Sequence, residues 1–253
     1  MHRILFRLGS LSFYSYSVFI VLGILGGLTL ACYEGKRQLN DAKVILDAAF
    51  YAILAGVIGG RLYHVGLNWA YYSARQEEIL ALRGGGVAWQ GAFLGGGIAL
   101  LIYAWLRECS FWALADAAAP GLALAGGLGW LGALLHGSNY GMVYAGFLSQ
   151  DLPDIYGLSA PRFPTQGVAS AFNWAILVGL LLLARRRPFP GVLALSYLIV
   201  HSLGLFLLEF TRADDTLYIG VFRFNQVLYL AEFLGGLLLF VFMWRRRDRV
   251  NRT

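Results

Sequence analysis

The chain has 253 residues, of which 58% are hydrophobic and only 13% charged. A soluble domain of this size carries roughly a quarter charged residues, so the composition excludes a single water-soluble core and points to lipid as the solvent. The formal net charge of +6 is gathered in short runs beside apolar stretches, as in Arg185-Arg186-Arg187 and Arg245-Arg246-Arg247, a placement that reads as topology signals and anionic-headgroup contacts and not as a nucleic-acid surface.

Seven apolar stretches are long enough to cross a bilayer, each needing about 20 residues: 13–33, 44–68, 91–106, 111–135, 167–184, 191–210 and 225–244. The third is short unless residues near Val87 join it. The first follows Arg3 and Arg7 and ends at Thr29-Leu30-Ala31-Cys32. It is longer than the apolar core of a signal peptide and is interrupted early by polar and aromatic residues, so it is expected to stay as a span. No internal repeat or separate domain is visible. The expected fold is an all-α integral membrane protein: one transmembrane domain over 1–253, a bundle of seven helices with a polar cavity opening to the non-cytoplasmic side.

An odd number of spans puts the termini on opposite sides. Lys36, Arg37, Lys43, Arg107, Arg185, Arg186, Arg187, Arg245, Arg246, Arg247, Arg249 and Arg252 fall on the C-terminal side, against Arg3, Arg7, Arg75, Arg83, Arg162, Arg212 and Arg223 on the other. The bias predicts a cytoplasmic C-terminus and an N-terminus outside. The longest connections, 71–90, 136–166 and 211–224, then lie on the non-cytoplasmic face. Loops on a rigid scaffold tend to carry function, so the site is expected there.

Polar groups at membrane depth need a partner or a purpose. Asp47 and Glu232 lie near expected span ends and read as headgroup contacts. Asp116, shortly before Pro120, reads as a cap for backbone exposed by the proline, and His201 as a helix-to-helix hydrogen bond. Arg61 stands apart: it stays charged at any relevant pH, and Gly59 and Gly60 before it let a phosphate approach the backbone. The other reading of Arg61 is a structural pair with Asp116 or Glu209. The glycines of 126–132 suit close helix packing, and those of Gly137-Ser138-Asn139-Tyr140-Gly141 sit at a span exit where the backbone must turn. The two cysteines, Cys32 and Cys109, form no CxxC, and the four histidines lack metal-ligand spacing. No metal or cofactor is expected.

Seven segments in order resemble the bacterial prolipoprotein diacylglyceryl transferase family. The segment from Leu8 to Tyr16 resembles the family's opening run, which ends in a functional Tyr. Gly59-Gly60-Arg61-Leu62-Tyr63 and Gly85-Gly86-Val87-Ala88-Trp89-Gln90-Gly91 resemble its second and third motifs. Phe111-Trp112 with Asp116 and Ala119-Pro120 resembles its FW-x-x-x-D-x-x-A-P helix start, and an ungapped register then reaches Gly132, Gly137, Tyr140 and Gly141. Pro161-Arg162-Phe163-Pro164-Thr165-Gln166 and Glu209-Phe210-Thr211-Arg212-Ala213-Asp214 resemble the last two.

The resemblance implies seven spans in a bacterial inner membrane with a periplasmic N-terminus. It also implies a reaction that moves a diacylglyceryl group from phosphatidylglycerol to the lipobox cysteine of a preprolipoprotein. At the matching positions it implies catalytic roles for Tyr16 and Glu209, and lipid contacts at Gly59, Gly60, Arg61, Gly137, Tyr140, Gly141, Arg162 and Arg212; His136, as an alternative base, and Gln90, as a lipid contact, stand at substituted positions and enter as candidates for a rearranged chemistry. The same register sets Trp130 at the signature's Arg, Ala133 and His136 at its two Asn, and Ser138 at its Glu. Gln90 stands for its His, and Leu205 for the Arg four residues before Glu209. The retained set suits an anionic headgroup. The replaced set is what would activate a thiol and stabilise phosphate charge. Two readings stay open: a transferase with rearranged chemistry, and a non-catalytic lipid-binding or assembly subunit of a membrane complex. A transporter is disfavoured because no repeated halves are seen.

Overall fold

The computed structural model describes residues 4–9, 11–39, 41–82, 85–154 and 156–250. Arg3, Ser10, Arg83 and Arg252 of the sequence reading lie outside these ranges. A hairpin of β1 (Ile4–Leu8) and β2 (Leu11–Tyr14) leads into α1 (Ser15–Leu39), followed by α2 (Ala42–Leu67), the single turn α3 (Trp69–Tyr72), α4 (Trp89–Leu106) and α5 (Phe111–His136). The second hairpin, β3 (Gln150–Pro153) with β4 (Ser159–Arg162), precedes α6 (Thr165–Leu183) and α7 (Val192–Glu209). The third, β5 (Tyr218–Ile219) with β6 (Phe222–Arg223), precedes α8 (Phe224–Val250).

Among the described residues, seven helices are long and apolar enough to cross a membrane: α1, α2, α4, α5, α6, α7 and α8. They match the seven apolar stretches to within a few residues. The short third stretch gains Trp89 and Gln90 at its start. Side chains such as Phe50, Leu62, Leu94, Trp105, Leu238 and Phe242 are exposed, which only a hydrocarbon solvent tolerates on this scale. Glu232 sits eight residues past the start of the span that opens at Phe224, well inside the helix and not at its end. Asp47, by contrast, is half exposed and 3.6 Å from Arg107, as a headgroup-level pair would be. The three hairpins were not legible as strands: each is two to five residues long, too short for a period-2 pattern to register.

The chain folds as two compact units, one of residues 32–117 and one of 1–31 with 118–253. In the first, Asp41 caps α2 by accepting from the Lys43 backbone N–H at 2.8 Å. α2 lies along α4 at backbone distance: a Cβ added to Gly59 would sit 2.5 Å from the Gly91 carbonyl oxygen, and one on Gly60 would sit 2.9 Å from the Ala88 oxygen. Small residues let two backbones meet where lipid supplies no hydrophobic drive.

In the second unit, α1 and α5 meet in the same way at Gly27 and Gly121. α6 packs on the glycine run of α5, with Ser170 Oγ donating to the Gly127 carbonyl at 2.9 Å and Asn173 against Gly126. α6 packs on α7 and α7 on α8. α5 runs through Pro120 without a break.

Candidate functional site

In unit 32–117, Arg61 is buried at 7% exposure. Its guanidinium reaches the connection between α3 and α4. Nε donates to the Ile79 carbonyl at 2.7 Å, Nη2 to Glu78 O at 2.6 Å, and Nη1 to Gly85 O at 2.8 Å and Gly86 O at 3.0 Å. The Tyr72 ring lies 5.2 Å below it. Arg61 therefore staples a loop through neutral carbonyls, and its positive charge meets no carboxylate among the described residues. The loop is shaped for this contact: Gly86 has φ +78, and a Cβ there would fall 2.6 Å from Arg61 Nη1.

Gly59 and Gly60 face α4 and its lead-in, with Ala88 N–H donating to Gly60 O at 3.0 Å. Their smallness serves helix packing, which leaves the guanidinium as the chemical part of that motif. Gln90 occupies the first turn of α4, half-buried.

In the other unit, α5 ends at His136, and Gly137 turns the chain with φ +82. Gly137 N–H and Ser138 N–H both donate to the Ala133 carbonyl, at 2.9 and 3.2 Å, closing the helix end. Asn139 follows with φ +56, a left-handed position that Asn tolerates better than most residues.

Residues 140–144 then run between two other strands of chain. Met142 N–H donates to Thr211 O and Ala213 N–H to Tyr140 O on one side. Phe163 N–H donates to Met142 O and Tyr144 N–H to Pro161 O on the other. Gly141 bridges to Arg212 on one side, and on the other a Cβ there would collide with the Phe163 carbonyl oxygen.

Arg162 braces this frame. It is 8% exposed, donates to Gly141 O at 3.3 Å, pairs with Asp154 at 3.2 Å and lies 4.8 Å over the Tyr140 ring. Burial raises the Tyr140 phenol pKa, with the Asp215 and Asp154 charges adding to it and Arg162 opposing. Gln166, fully buried, holds the same loop through Ser138 O at 2.9 Å.

A second cluster closes the frame. Glu209, 2% exposed at the end of α7, accepts from Arg212 Nη1 at 2.9 Å, Arg223 Nε at 3.0 Å and Asn225 Nδ2 at 3.3 Å. Arg212 also grips Asp214 with Nε and Nη2 and reaches Asn139 Oδ1 at 3.0 Å. Arg223 adds Asp214 Oδ1 at 3.1 Å and the Asp214 carbonyl at 2.9 Å. Burial of Arg212 works against its charge, yet the bond to Asp214 and the fields of Asp214 and Glu209 outweigh it, and its pKa is raised.

Tyr16 and His136 meet with ring centroids 6.0 Å apart. A Cβ on Gly132, one turn earlier on α5, would lie 3.3 Å from the Tyr16 backbone, so that glycine seats the start of α1.

Of the residues named from sequence, Gly137, Tyr140, Gly141, Arg162, Glu209 and Arg212 thus converge on one frame, and Tyr16 with His136 form a pair at the end of α5. Gly59, Gly60, Arg61 and Gln90 belong to the other unit. Asp154, Arg223, Asp214 and Asn139 were missed as partners. Only the alternation of Arg and acid along 209–223 hinted at them, and it carries no distance information. Ala133 and Leu205 are buried apolar positions, at 1% and 5% exposure. No group of three or more His, Cys, Asp or Glu suited to a metal ion is found among the described residues.

Comparison with known proteins gives one answer. The model of the prolipoprotein diacylglyceryl transferase family matches residues 3–242. A phosphatidylglycerol–prolipoprotein diacylglyceryl transferase from Bacillus velezensis is 32% identical over 249 residues, covering 96% of this chain and 92% of the relative. One from Limosilactobacillus reuteri is 31% identical over 250 residues, covering 95% and 90%. One from Clostridioides difficile is 29% identical over 249 residues, covering 97% of each.

Proposed function

The chain belongs to the prolipoprotein diacylglyceryl transferase family, and we propose that it binds phosphatidylglycerol in the bacterial inner membrane while transferring the diacylglyceryl group weakly or not at all. The reading is of a multi-pass protein with its N-terminus periplasmic and C-terminus cytoplasmic, as the Lys and Arg distribution favours.

The observation that carries lipid binding is Arg61. Among the described residues its buried guanidinium is held by four carbonyls and faces the Tyr72 ring, with no carboxylate bonded to it, so its charge is left for an anion. A phosphodiester drawn to that field gains a charge-assisted contact that a zwitterionic lipid gains less well. The observation against efficient transfer is Glu209. Each of its oxygens is already engaged by an arginine, at 2.9 Å by Arg212 and 3.0 Å by Arg223, so the carboxylate is committed to the frame and not turned toward a substrate thiol. The family's process, lipid modification of preprolipoproteins, is the setting in which a lipid-binding or assembly subunit would serve.

A second reading is favoured by the Tyr16–His136 pair. Here the lipobox thiol sulfur attacks the glyceryl carbon of phosphatidylglycerol, and His136 takes the thiol proton. The carbon–oxygen bond to phosphate breaks, glycerol phosphate leaves, and a thioether remains. Tyr16 orients the glycerol.

One experiment separates the readings. The full chain is reconstituted in vesicles of phosphatidylglycerol or phosphatidylcholine with a lipobox peptide, and retained lipid and peptide mass are measured. Selective retention of phosphatidylglycerol, with no thioether above empty vesicles, is expected. Thioether formation establishes the second reading, and equal retention of both lipids overturns the first.

A further inference from the structure

The third hairpin is built unlike the rest of its connection. The run from Thr216 to Phe222 carries no charge, whereas Arg212, Asp214 and Asp215 precede it and Arg223 follows. Leu217, Tyr218, Ile219, Val221 and Phe222 are between 41% and 88% exposed, Val221 the most. A contiguous set of large apolar side chains left uncovered marks a surface that meets something other than water.

Register sorts these side chains by face. Tyr218 pairs with Arg223 and Ile219 with Phe222, and Gly220, with φ +60, makes the turn with Val221. Directly opposed residues share a side of the ribbon, and successive ones alternate. Arg223 turns inward, to Glu209 and Asp214. Ile219 and Phe222 therefore turn the other way. Leu217, whose carbonyl accepts from Phe224 N–H at 2.8 Å, shares their side.

The ribbon is also held at its root. Arg223 N–H donates to Gln226 Oε1 at 2.9 Å, in the first turn of α8. Its guanidinium reaches the carbonyls of Arg212 and Asp214 at 3.3 and 2.9 Å. An apolar tip carried on a fixed root gives up little conformational freedom when it is covered.

What covers it follows from where the ribbon ends. α8 starts at Phe224, the residue after β6, and its apolar span runs from Phe224 to Arg247, 24 residues. At 1.5 Å per residue that span is about 36 Å long, against a hydrocarbon core of about 30 Å, so its first turn lies in the headgroup layer. Val221 is three residues away, at most about 11 Å of extended chain. The nearest apolar phase to the tip is the leaflet that already surrounds the exposed Leu230 and Leu234 of α8. Tyr218 adds the ring type that gathers at a membrane–water boundary.

We propose that the β5–β6 hairpin is an interfacial anchor, its tip Ile219-Gly220-Val221-Phe222 set into the bilayer leaflet beside α8. The partner is the lipid surface itself and no particular headgroup, so the inference stands apart from phosphatidylglycerol binding. Arg223 ends the hairpin and also pairs with Glu209. Through it the leaflet fixes the depth at which the buried ion cluster sits.

The test uses the full chain, carrying Cys32→Ala and Cys109→Ala, in nanodiscs of phosphatidylcholine and phosphatidylglycerol, which leave both leaflets open to reagents. Single thiols are introduced as Val221→Cys and, at an exposed reference position in the same connection, Asp215→Cys. The thiol at 221 is expected to react with a charged, membrane-impermeant maleimide about tenfold more slowly than the one at 215, because the reacting thiolate forms in water. A nitroxide attached at 221 is expected to collide mainly with oxygen, which concentrates in hydrocarbon, and one at 215 mainly with a water-soluble nickel chelate. Ile219→Cys repeats both readings should Val221→Cys fail to fold.

Slow reaction with oxygen-dominated collisions supports the anchor. Equal reaction rates at the two positions overturn it. Slow reaction with neither collision partner reaching the nitroxide means that protein covers the tip, and shielding that appears only when a lipobox peptide is added makes the tip a peptide-docking surface. Either of those results overturns the assignment to lipid.

Discussion

Arg223 donates from Nε to Glu209 Oε1 at 3.0 Å, so the arginine that ends the third hairpin neutralises the carboxylate that ends α7. Leu205, one turn before Glu209 on the same helix, is a buried apolar residue. Of the two cations on Glu209, Arg212 follows it by three residues, and the other, Arg223, arrives from the far side of a loop.

That pairing predicts a large and correctable loss. Arg223→Leu leaves Glu209 with one arginine fewer in a site excluded from water, at an expected cost of about 3–5 kcal/mol for breaking a buried pair. Adding Glu209→Gln recovers part of it, because the uncompensated charge is gone. Denaturant unfolding in detergent, run on the two single variants and the double, checks the sign of the coupling. Additive losses would mean the pair is not coupled.

Arg61 is expected to resist its conservative replacement. Lys has a compact ammonium and no planar fork, so Arg61→Lys cannot hold the carbonyls of Glu78, Ile79, Gly85 and Gly86 together. The loss is about 1–3 kcal/mol, borne locally. Hydrogen exchange and limited proteolysis across residues 76–86 are expected to quicken while the helices stay protected.

Two glycines of α2 give opposite predictions for one substitution. Gly59→Ala places a methyl 2.5 Å from the Gly91 carbonyl oxygen, and forcing α2 from α4 costs about 1–3 kcal/mol. Gly66 has nothing within 4 Å of the same position, so Gly66→Ala is neutral or stabilising, by up to about 1 kcal/mol. Thermal unfolding of both variants in one detergent decides the matter, and equal effects would contradict the packing described.

Asn139 combines a left-handed backbone with a hydrogen bond to Arg212 at 3.0 Å. Asn139→Gly keeps the backbone and loses the bond, at about 0.5–1.5 kcal/mol. Asn139→Val loses the bond and adds roughly 1–2 kcal/mol of backbone strain. The order of melting temperatures, parent above Gly above Val, is the expected outcome.

Much of the architecture was legible before any coordinates. A hydrocarbon solvent demands long apolar helices, so the seven spans followed from the apolar runs, with ends expected at 33, 68 and 106 and found at Arg37, Leu67 and Leu106. The frame shared by Gly137, Tyr140, Gly141, Arg162, Glu209 and Arg212 was not legible, because the resemblance named these residues together with Gly59, Gly60, Arg61 and Gln90 and did not say which of them meet. The role of Arg61 was half legible. Its glycine neighbours suggested room for a ligand, yet that room is filled by the Gly91 backbone and the Val87 side chain.

The sequence by itself determined that the chain lives in a bilayer, how many times it crosses and which family it resembles, because hydrophobic length and motif order are one-dimensional properties. Only the tertiary structure decided which charges are spent and which remain. Asp154 against Arg162, Arg223 against Glu209 and carbonyls around Arg61 are pairings between residues 8, 14 and up to 25 positions apart. Coulomb energy depends on distance and burial, neither of which a list of residues records.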